Sequence, residues 1–257
     1  MAYDLISFDL DGTLVDTAAE IAEAANRALE AHGIARRPVA QITHLIGAGT
    51  RELMLGLLAR CLLEQPALAH SVRVEAVLAS MDEHYAATTG SSALPYAGCS
   101  AALTQLKAAG LRLACVTNKE HRHAVRVLQA TGLADYFDLT IGGDSLPEKK
   151  PHPSVLRHVA ATLGVSTTRT AHVGDSAIDV AAARNAGVAA WAVPYGYNAG
   201  VPIEQAHPRR IFASLPQVAE HVLAARAGNA LQRQTASAAA SAFEIRQHRV
   251  AAPNSTR

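Results

Sequence analysis

The chain has 257 residues, enough for one large domain or for a core that carries a smaller insert. Hydrophobic residues make up 49% of it, aromatics are few, and the formal net charge is +1, which argues against bulk electrostatic binding of nucleic acid or membranes. The three cysteines have no paired spacing, and no basic leader or long apolar run opens the chain. We therefore expect an aliphatic, helix-rich cytoplasmic protein with no disulfide framework, zinc site, signal peptide or transmembrane helix.

The first predicted strand ends in two acidic residues, Asp9 and Asp11, after an apolar run that begins at Ile6. Alternate residues of a strand share one face, and Gly12 provides the freedom that the following turn needs. Two neighbouring carboxylates beside a buried strand repel each other and lose hydration, so a cation is the expected counterion. Mg²⁺, which prefers oxygen ligands, is the natural candidate; the alternative is a pair of solvated loop acids.

Residues 17–95 show helical patterns and no strand pattern. The predicted helices cover 17–32, 39–45, 52–63 and the stretch from 66 to 85. A helical block between two α/β segments indicates an inserted subdomain, which we place at 16–95, with the core formed by 1–15 and 96–227.

A glycine-rich segment lies between the second and third of these helices. Gly47, Gly49, Thr50 and Arg51 combine backbone amides at a helix start with a guanidinium, which could hold a substrate's carboxylate or second anionic group. The alternative is a helix–helix turn with a solvated arginine, because a single Gly-x-Gly is weak evidence.

From residue 96 onward, short apolar runs alternate with helical patterns, as in a parallel α/β sheet. The predicted strands cover 111–116, 139–143, 170–173, 188–193 and 211–212. Helices are predicted over 96–109, 119–131 and 215–225, with another that ends near Gly164.

Polar residues follow two of these segments. Thr117 and Asn118 come directly after a strand and before a helix, where a hydroxyl and backbone amides can bind phosphoryl oxygens or simply cap the helix. Lys150 directly precedes Pro151, and the rigid approach to the next helix can direct its ammonium toward a buried anion. Its neighbour Lys149 is predicted to be solvated.

The strand at 170–173 leads into Gly174-Asp175-Ser176 and, one helical turn later, Asp179. Asp175 is expected to face the same crevice as the first acidic pair and to bind the metal directly. Asp179 and Ser176 are expected behind it, with Asp179 orienting a lysine or a metal-bound water. Asp179 can equally be a first-turn acid that interacts with the helix dipole.

Four segments together resemble the motifs of the haloacid dehalogenase-like hydrolase superfamily. They are Asp9-Leu10-Asp11-Gly12-Thr13, Thr117-Asn118, Lys150-Pro151-His152-Pro153 and Gly174-Asp175-Ser176-Ala177-Ile178-Asp179. The resemblance covers about residues 3–225 and implies a doubly wound, Rossmann-like parallel-sheet core with an all-helical cap. The turn at 195–198, Tyr-Gly-Tyr-Asn, resembles the phosphoglycolate phosphatase branch in particular.

The resemblance implies a Mg²⁺-dependent phosphatase that forms an aspartyl-phosphate. In that mechanism Asp9 is the nucleophile, and Asp11 protonates the leaving alkoxide and then activates water. Mg²⁺ would be held by Asp9, the backbone carbonyl of Asp11, and Asp175. Thr117 and Lys150 would neutralise the phosphoryl oxygens together with the metal.

The substrate that this branch implies is 2-phosphoglycolate, hydrolysed to glycolate and phosphate. A β-phosphoglucomutase-like sugar phosphomutase, another small-molecule phosphatase or pyrophosphatase, and a binding or regulatory protein on the same scaffold are the alternatives. The second acid, Asp11, argues against a dehalogenase, and the lack of any lysine in residues 16–95 argues against a phosphonatase. The sequence leaves the choice between monomer and homodimer open.

Two further predictions concern the periphery. Residues 228–257 are rich in Ala, Ser, Gln and Arg and have few large apolar side chains, so we expect a largely disordered tail. His121 and His123 are two residues apart on a helix, which is not a ligand spacing, and both are predicted to be surface residues.

Overall fold

The computed structural model describes residues 3–228, and the tail predicted to be disordered lies outside the described residues apart from its first position. Eight strands occur in this range. They are β1 (Leu5–Phe8), β2 (Val15–Asp16), β3 (Leu94–Pro95), β4 (Arg112–Val116), β5 (Leu139–Ile141), β6 (Thr170–Gly174), β7 (Ala189–Ala192) and β8 (Arg210–Ile211).

The helices of the described range follow the predicted alternation. They are α1 (Ala18–Ala31), α2 (Val39–Thr43), α3 (Thr50–Glu64), α4 (Val74–Thr88), α5 (Cys99–Ala108), α6 (His121–Ala130), α7 (Pro153–Thr162), α8 (Ala177–Ala186) and α9 over 215–228. Short 3₁₀ turns lie at Pro66–His70, Ala134–Tyr136, Thr167–Arg169, Asn198–Gly200 and Ile203–Ala206. Across residues 3–228, no helix has both the length and the apolar character that a membrane crossing requires.

The main sheet is parallel and has the strand order β5-β4-β1-β6-β7-β8. Strand β1 lies between β4 and β6, with Phe8 opposite Cys115 on one side and Val173 on the other. The chain therefore reverses its direction of winding around β1, and ligands of such sheets bind beyond the carboxyl ends of the strands at that point. The doubly wound fold class is confirmed.

Helices cover both faces of this sheet because neighbouring strand residues point to opposite sides. Leu5 packs in a cluster with residues of α7 and α8, whereas Ile6 packs with residues of α5, α6 and α9. The sheet is buried on both faces, which is typical of parallel sheets and explains why its strands appear in the sequence as short continuous apolar runs.

Helices α1 to α4, called here the cap helices, form a separate hydrophobic cluster. Strand pair β2–β3 lies where the chain enters and leaves them, with Val15 opposite Pro95 and Asp16 opposite Leu94. The expectation of no strand in residues 17–95 is therefore wrong at 94–95. Two residues are too few to produce a periodic signal, and only the partner strand defines them.

The packing of the cap cluster predicts a stability effect. Leu57 on α3 is 1% exposed, so Leu57→Ala should lower the free energy of unfolding by about 2–5 kcal/mol through lost burial and a cavity. Leu63 on the same helix is 82% exposed, and Leu63→Ala should change it by less than about 0.5 kcal/mol. Urea titration monitored by circular dichroism measures both; equal effects would contradict the packing described.

Candidate active site

The predicted site residues meet at the carboxyl edge of the sheet. Asp9 follows β1, Thr117 follows β4 and Asp175 follows β6, while Lys150 reaches in from the loop before α7. One carboxylate oxygen each of Asp9, Asp175 and Asp179 can be chosen so that all lie within 4.8 Å of one another. All three acids and Lys150 are buried.

Lys150 is the cation that binds two of these acids. Its ammonium lies 3.0 Å from Oδ1 of Asp9 and 2.7 Å from Oδ1 of Asp179, and it also donates to the backbone carbonyl of Val116 at 2.6 Å. The third acid, Asp175, has no ion pair with a basic residue within 3–228. When all three acids are ionised, the cluster of three carboxylates and one ammonium therefore carries excess negative charge.

That excess charge and the burial shift the acid equilibria. Burial raises the pKa of Asp9 to about 7, against the attraction of Lys150, and burial with the nearby carboxylates raises the pKa of Asp175 to about 8. Burial opposes ionisation of Asp179 as well, yet Lys150 and His172 hold its pKa below the usual range. An all-oxygen donor set with uncompensated charge fits a hard divalent cation such as Mg²⁺.

Asp175 is held in place by Thr13 of the first motif and by the Tyr-Gly-Tyr-Asn turn together. Thr13 Oγ1 donates to its Oδ1 at 2.8 Å, and the backbone N–H of Tyr197 donates to its Oδ2 at 2.7 Å. A Cβ at Gly196 would lie 2.3 Å from the Asp175 side chain. The Tyr-Gly-Tyr-Asn turn therefore needs its glycine because the turn passes directly against this carboxylate.

Within residues 3–228, Ser176 forms hydrogen bonds to the cluster only through Asp179. Its hydroxyl donates to Oδ2 of Asp179 at 2.6 Å. Its backbone N–H donates to the same oxygen at 3.1 Å, and its Oγ accepts from the backbone N–H of Asp179 at 3.4 Å, so the pair forms a capping box for α8. Behind Asp179, His172 Nε2 lies 3.2 Å from Oδ1 and His172 Nδ1 lies 2.9 Å from Ser7 Oγ. The sequence analysis missed His172, which looks like any other residue of a buried strand.

The side chain of Asp11 has two partners that were not predicted from the sequence. Thr17 Oγ1 donates to it at 2.6 Å, and the ammonium of Lys119 lies 2.8 Å from each of its carboxylate oxygens. The sequence predicts that Lys119 starts the next helix, but α6 begins at His121. Lys119 directly follows Thr117-Asn118, and that segment follows a strand that ends at the binding edge of the sheet. This position was the one signal in the sequence that Lys119 could belong to the site.

A small cavity adjoins these groups between the core and the cap helices. Its lining residues are Asp9, Asp11, Ile21, Ile46, Gly47, Gly49, Thr50, Leu53, Thr117, Asn118 and Lys119. Asn118 joins the two sides, because its amide donates to the carbonyl of Gly47 at 3.1 Å and to that of Lys150 at 2.9 Å. Thr50 Oγ1 donates to Glu120 at 2.5 Å and so also ties the cap to the core.

Arg51 does not reach this cavity. Its side chain is 56% exposed and pairs with Glu75 at 3.1 Å on the outside of the cap helices. Lys149, predicted to be solvated, instead donates to the carbonyl of Ala48 at 2.8 Å and to Glu52 at 2.5 Å. The loop before α7 runs beside the first turn of α3, which brings that ammonium to an acidic residue.

The surface prediction holds for His121, which is exposed, and is wrong for His123, which is buried. The ring of His123 lies 4.6 Å from that of Tyr85 on α4, and its Nδ1 lies 2.9 Å from Thr89 Oγ1. Residue spacing tests whether two histidines can share a metal, but it does not say which side of a helix meets the cap.

The comparison with known families agrees with this geometry. A family model described as haloacid dehalogenase-like hydrolase matches residues 3–187. The parallel α/β core with acidic residues at its carboxyl edge is thus that of a hydrolase. The chain belongs to the haloacid dehalogenase-like hydrolase family.

Similar proteins have been named more specifically. A plasmid-encoded phosphoglycolate phosphatase of Cupriavidus necator is 43% identical over 192 residues, which is 75% of this chain and 81% of that protein. The phosphoglycolate phosphatase of Vibrio vulnificus is 38% identical over 85% of this chain and 96% of its own. A crystal structure of a predicted phosphoglycolate phosphatase from Haemophilus somnus superposes with a TM-score of 0.78, at 31% identity, covering 85% and 97% of the two chains.

Gly12 provides a test of how the site is built. Its φ is +82°, and a Cβ there would lie 2.4 Å from Oδ2 of Asp175, whereas Gly132 has φ +69° and open space around it. Gly12→Ala and Gly132→Ala should each cost about 1–2 kcal/mol of backbone strain. Only Gly12→Ala should also weaken Mg²⁺ binding, by about 10-fold or more, because it displaces Asp175. Calorimetric titration with Mg²⁺ measures this, and equal Mg²⁺ affinity in both variants would contradict it.

Proposed function

We propose that the protein is a Mg²⁺-dependent phosphatase that hydrolyses a small phosphate monoester, with 2-phosphoglycolate as the favoured substrate, through an aspartyl-phosphate on Asp9. The arrangement around Asp9 carries this proposal. Its Oδ1 accepts from the N–H of Leu10 at 2.7 Å and from Lys150 at 3.0 Å, while within residues 3–228 its Oδ2 accepts no hydrogen bond. One oxygen is anchored, and the other remains available to attack phosphorus.

The other residues of the site have complementary tasks. Asp11 gives a proton to the leaving alkoxide and later takes one from the attacking water. Lys150 and Thr117 neutralise charge on the phosphoryl oxygens, and the buried partners of Lys150 keep its ammonium in place. Mg²⁺, held by Asp9, Asp175 and the backbone carbonyl of Asp11, would act as a Lewis acid toward the phosphoryl group.

We also propose that residues 16–95 act as a cap that closes over the site. Their helices have a hydrophobic core of their own, and the β2–β3 pair lies where the two connections run side by side. Asp9 is 7% exposed with the helices in this position, so bulk water is largely excluded from the reacting atoms. Substrate entry and product release would then require the cap to open.

The cavity and the relatives support a small substrate. Apolar side chains of the cap helices limit the size of the cavity. Gly47, Gly49 and Thr50 line it and place the start of α3 beside it. Backbone N–H groups at a helix start favour an anion, such as the carboxylate of 2-phosphoglycolate. The named relatives of Cupriavidus necator and Vibrio vulnificus are phosphoglycolate phosphatases.

A cytoplasmic location is part of the proposal. Cys61, Cys99 and Cys115 are all unpaired and buried, which is the usual state of cysteine in a reducing compartment.

Replacing the nucleophile tests the mechanism. Asp9→Asn should reduce phosphate release from 2-phosphoglycolate at least about 10³-fold, with the fold retained, because the amide cannot form the aspartyl-phosphate. Asp4→Asn is the matched control, since Asp4 pairs with Arg169 at 2.6 Å at the opposite end of β1. A panel of small phosphate esters, assayed with and without Mg²⁺, ranks the substrates. Undiminished turnover by Asp9→Asn contradicts the mechanism, and an isomerised sugar phosphate without phosphate release would identify a mutase.

Metal binding should depend on pH. Because the metal-free pKa values of Asp9 and Asp175 are raised to about 7 and about 8, Mg²⁺ must displace protons from them below those values. The apparent affinity should therefore fall by about 10- to 100-fold for each pH unit below 7, as expected for one or two competing protons. Isothermal titration in buffers of different ionisation enthalpy counts the protons released; an affinity that is constant from pH 6 to 9 would contradict the charge balance described.

A further inference from the structure

The side-chain ammonium of Lys119 donates to two residues only, Asp11 and Tyr85, within the described part of the chain. Its side chain is 1% exposed, and its ammonium lies 2.8 Å from each carboxylate oxygen of Asp11 and donates to the hydroxyl of Tyr85. The ammonium also lies 5.0 Å from the centroid of the Tyr85 ring. Because an ammonium has three protons to donate, two to Asp11 and one to Tyr85 complete its set.

These two partners belong to different parts of the molecule. Asp11 follows the central strand of the sheet, whereas Tyr85 lies on α4 of the cap helices, 1% exposed and packed on the ring of His123. Burial raises the pKa of the Tyr85 hydroxyl, so this group stays neutral and accepts from the ammonium. Lys119 thus connects a cap helix directly to Asp11.

Both carboxylate oxygens of Asp11 accept hydrogen bonds. Its Oδ1 accepts from Thr17 at 2.6 Å in addition to Lys119, so in this arrangement the carboxylate is surrounded by donors. An ionised carboxylate can only accept hydrogen bonds, and it is the form that takes a proton from water. In the proposed mechanism Asp11 has this form after it has protonated the leaving group.

We propose that Lys119 is a positioning residue that holds Asp11 as the base during hydrolysis of the aspartyl-phosphate, and that Tyr85 makes this hold depend on the closed cap. The inference rests on the proposed function. In this step a water oxygen bonds to phosphorus, the bond from phosphorus to the Asp9 oxygen breaks, and its electron pair returns to the Asp9 carboxylate. The proton of the water passes to Asp11. The preceding step uses the protonated carboxyl of Asp11, with which an ammonium forms no ion pair.

Because Lys119 is proposed to act in hydrolysis of the aspartyl-phosphate and not in its formation, its loss should slow the second step alone. In Lys119→Met, kcat should fall about 100-fold and KM should fall in parallel, leaving kcat/KM within about 3-fold of wild type, since kcat/KM reports the steps up to phosphoryl transfer. Acid quenching at steady state should find most of the variant, and little of the wild type, phosphorylated. Lys107→Met is the matched control, because Lys107 pairs with Asp138 at 3.0 Å away from the site, and it should behave as wild type.

A second variant keeps the inference testable if Lys119→Met does not fold. Tyr85→Phe retains the ring and removes only the hydroxyl. It should show the same pattern with a smaller fall in kcat of about 5- to 10-fold, as expected for the net loss of one hydrogen bond. Tyr136→Phe, which loses a hydroxyl contact with Thr104 at 3.0 Å, is its control.

Unchanged kinetics in Lys119→Met or Tyr85→Phe overturn the inference, as does an equal loss in kcat and kcat/KM without accumulated phosphoenzyme. These results would leave the proposed function intact if Asp9→Asn is inactive. Full turnover by Asp9→Asn would instead overturn the proposed function, and this inference with it.

Discussion

The structure of the site depends on uncompensated negative charge in a place that water hardly reaches. Asp9, Asp175 and Asp179 lie at the end of the central strands with Lys150 among them, and burial raises the pKa of two of these carboxyls. Burying unpaired charge is costly, and such a cluster persists only where surrounding structure holds it together. In the proposed mechanism that cost becomes useful, because the same charge would attract a divalent cation, and the cation and Lys150 would together attract a phosphoryl group.

The parallel sheet explains how distant residues reach this place. Strand β1 lies between β4 and β6, so the residues that follow the three strands meet at one edge. Each segment is then fixed by contacts with the others: Thr13 and Tyr197 bind Asp175, and Lys150 binds both Asp9 and Asp179. The site is therefore one network, in which the position of each acid depends on loops far away in sequence.

The cap helices take part in this network through polar contacts. The amide of Asn118 reaches the carbonyl of Gly47, Thr50 bonds to Glu120, and Lys149 bonds to Glu52. The contact of Lys119 with Tyr85 differs from these because it is buried and continues to Asp11. The other three contacts join the cap helices to loops of the core, but this one joins them to a group in the proposed reaction.

The sequence was sufficient for the fold class and for the segments that form the site, because acids and prolines next to short apolar runs are local signals. It was not sufficient for Lys119, Tyr85 or His172, whose importance lies in long-range contacts that depend on how a helix or strand is rotated. The same reason explains two placements that differ from expectation: Arg51 turns to Glu75 outside the cavity, and His123 faces the cap.

The most direct test of this account is to locate the transferred phosphoryl group. Wild-type protein mixed with 2-phosphoglycolate and Mg²⁺, quenched in acid within the first turnover and digested, should yield one phosphorylated peptide, with the modification on Asp9 by mass spectrometry. The same experiment without divalent ions should yield none. Turnover that proceeds with phosphate on another residue, or with no phosphorylated peptide at all, would contradict the central claim.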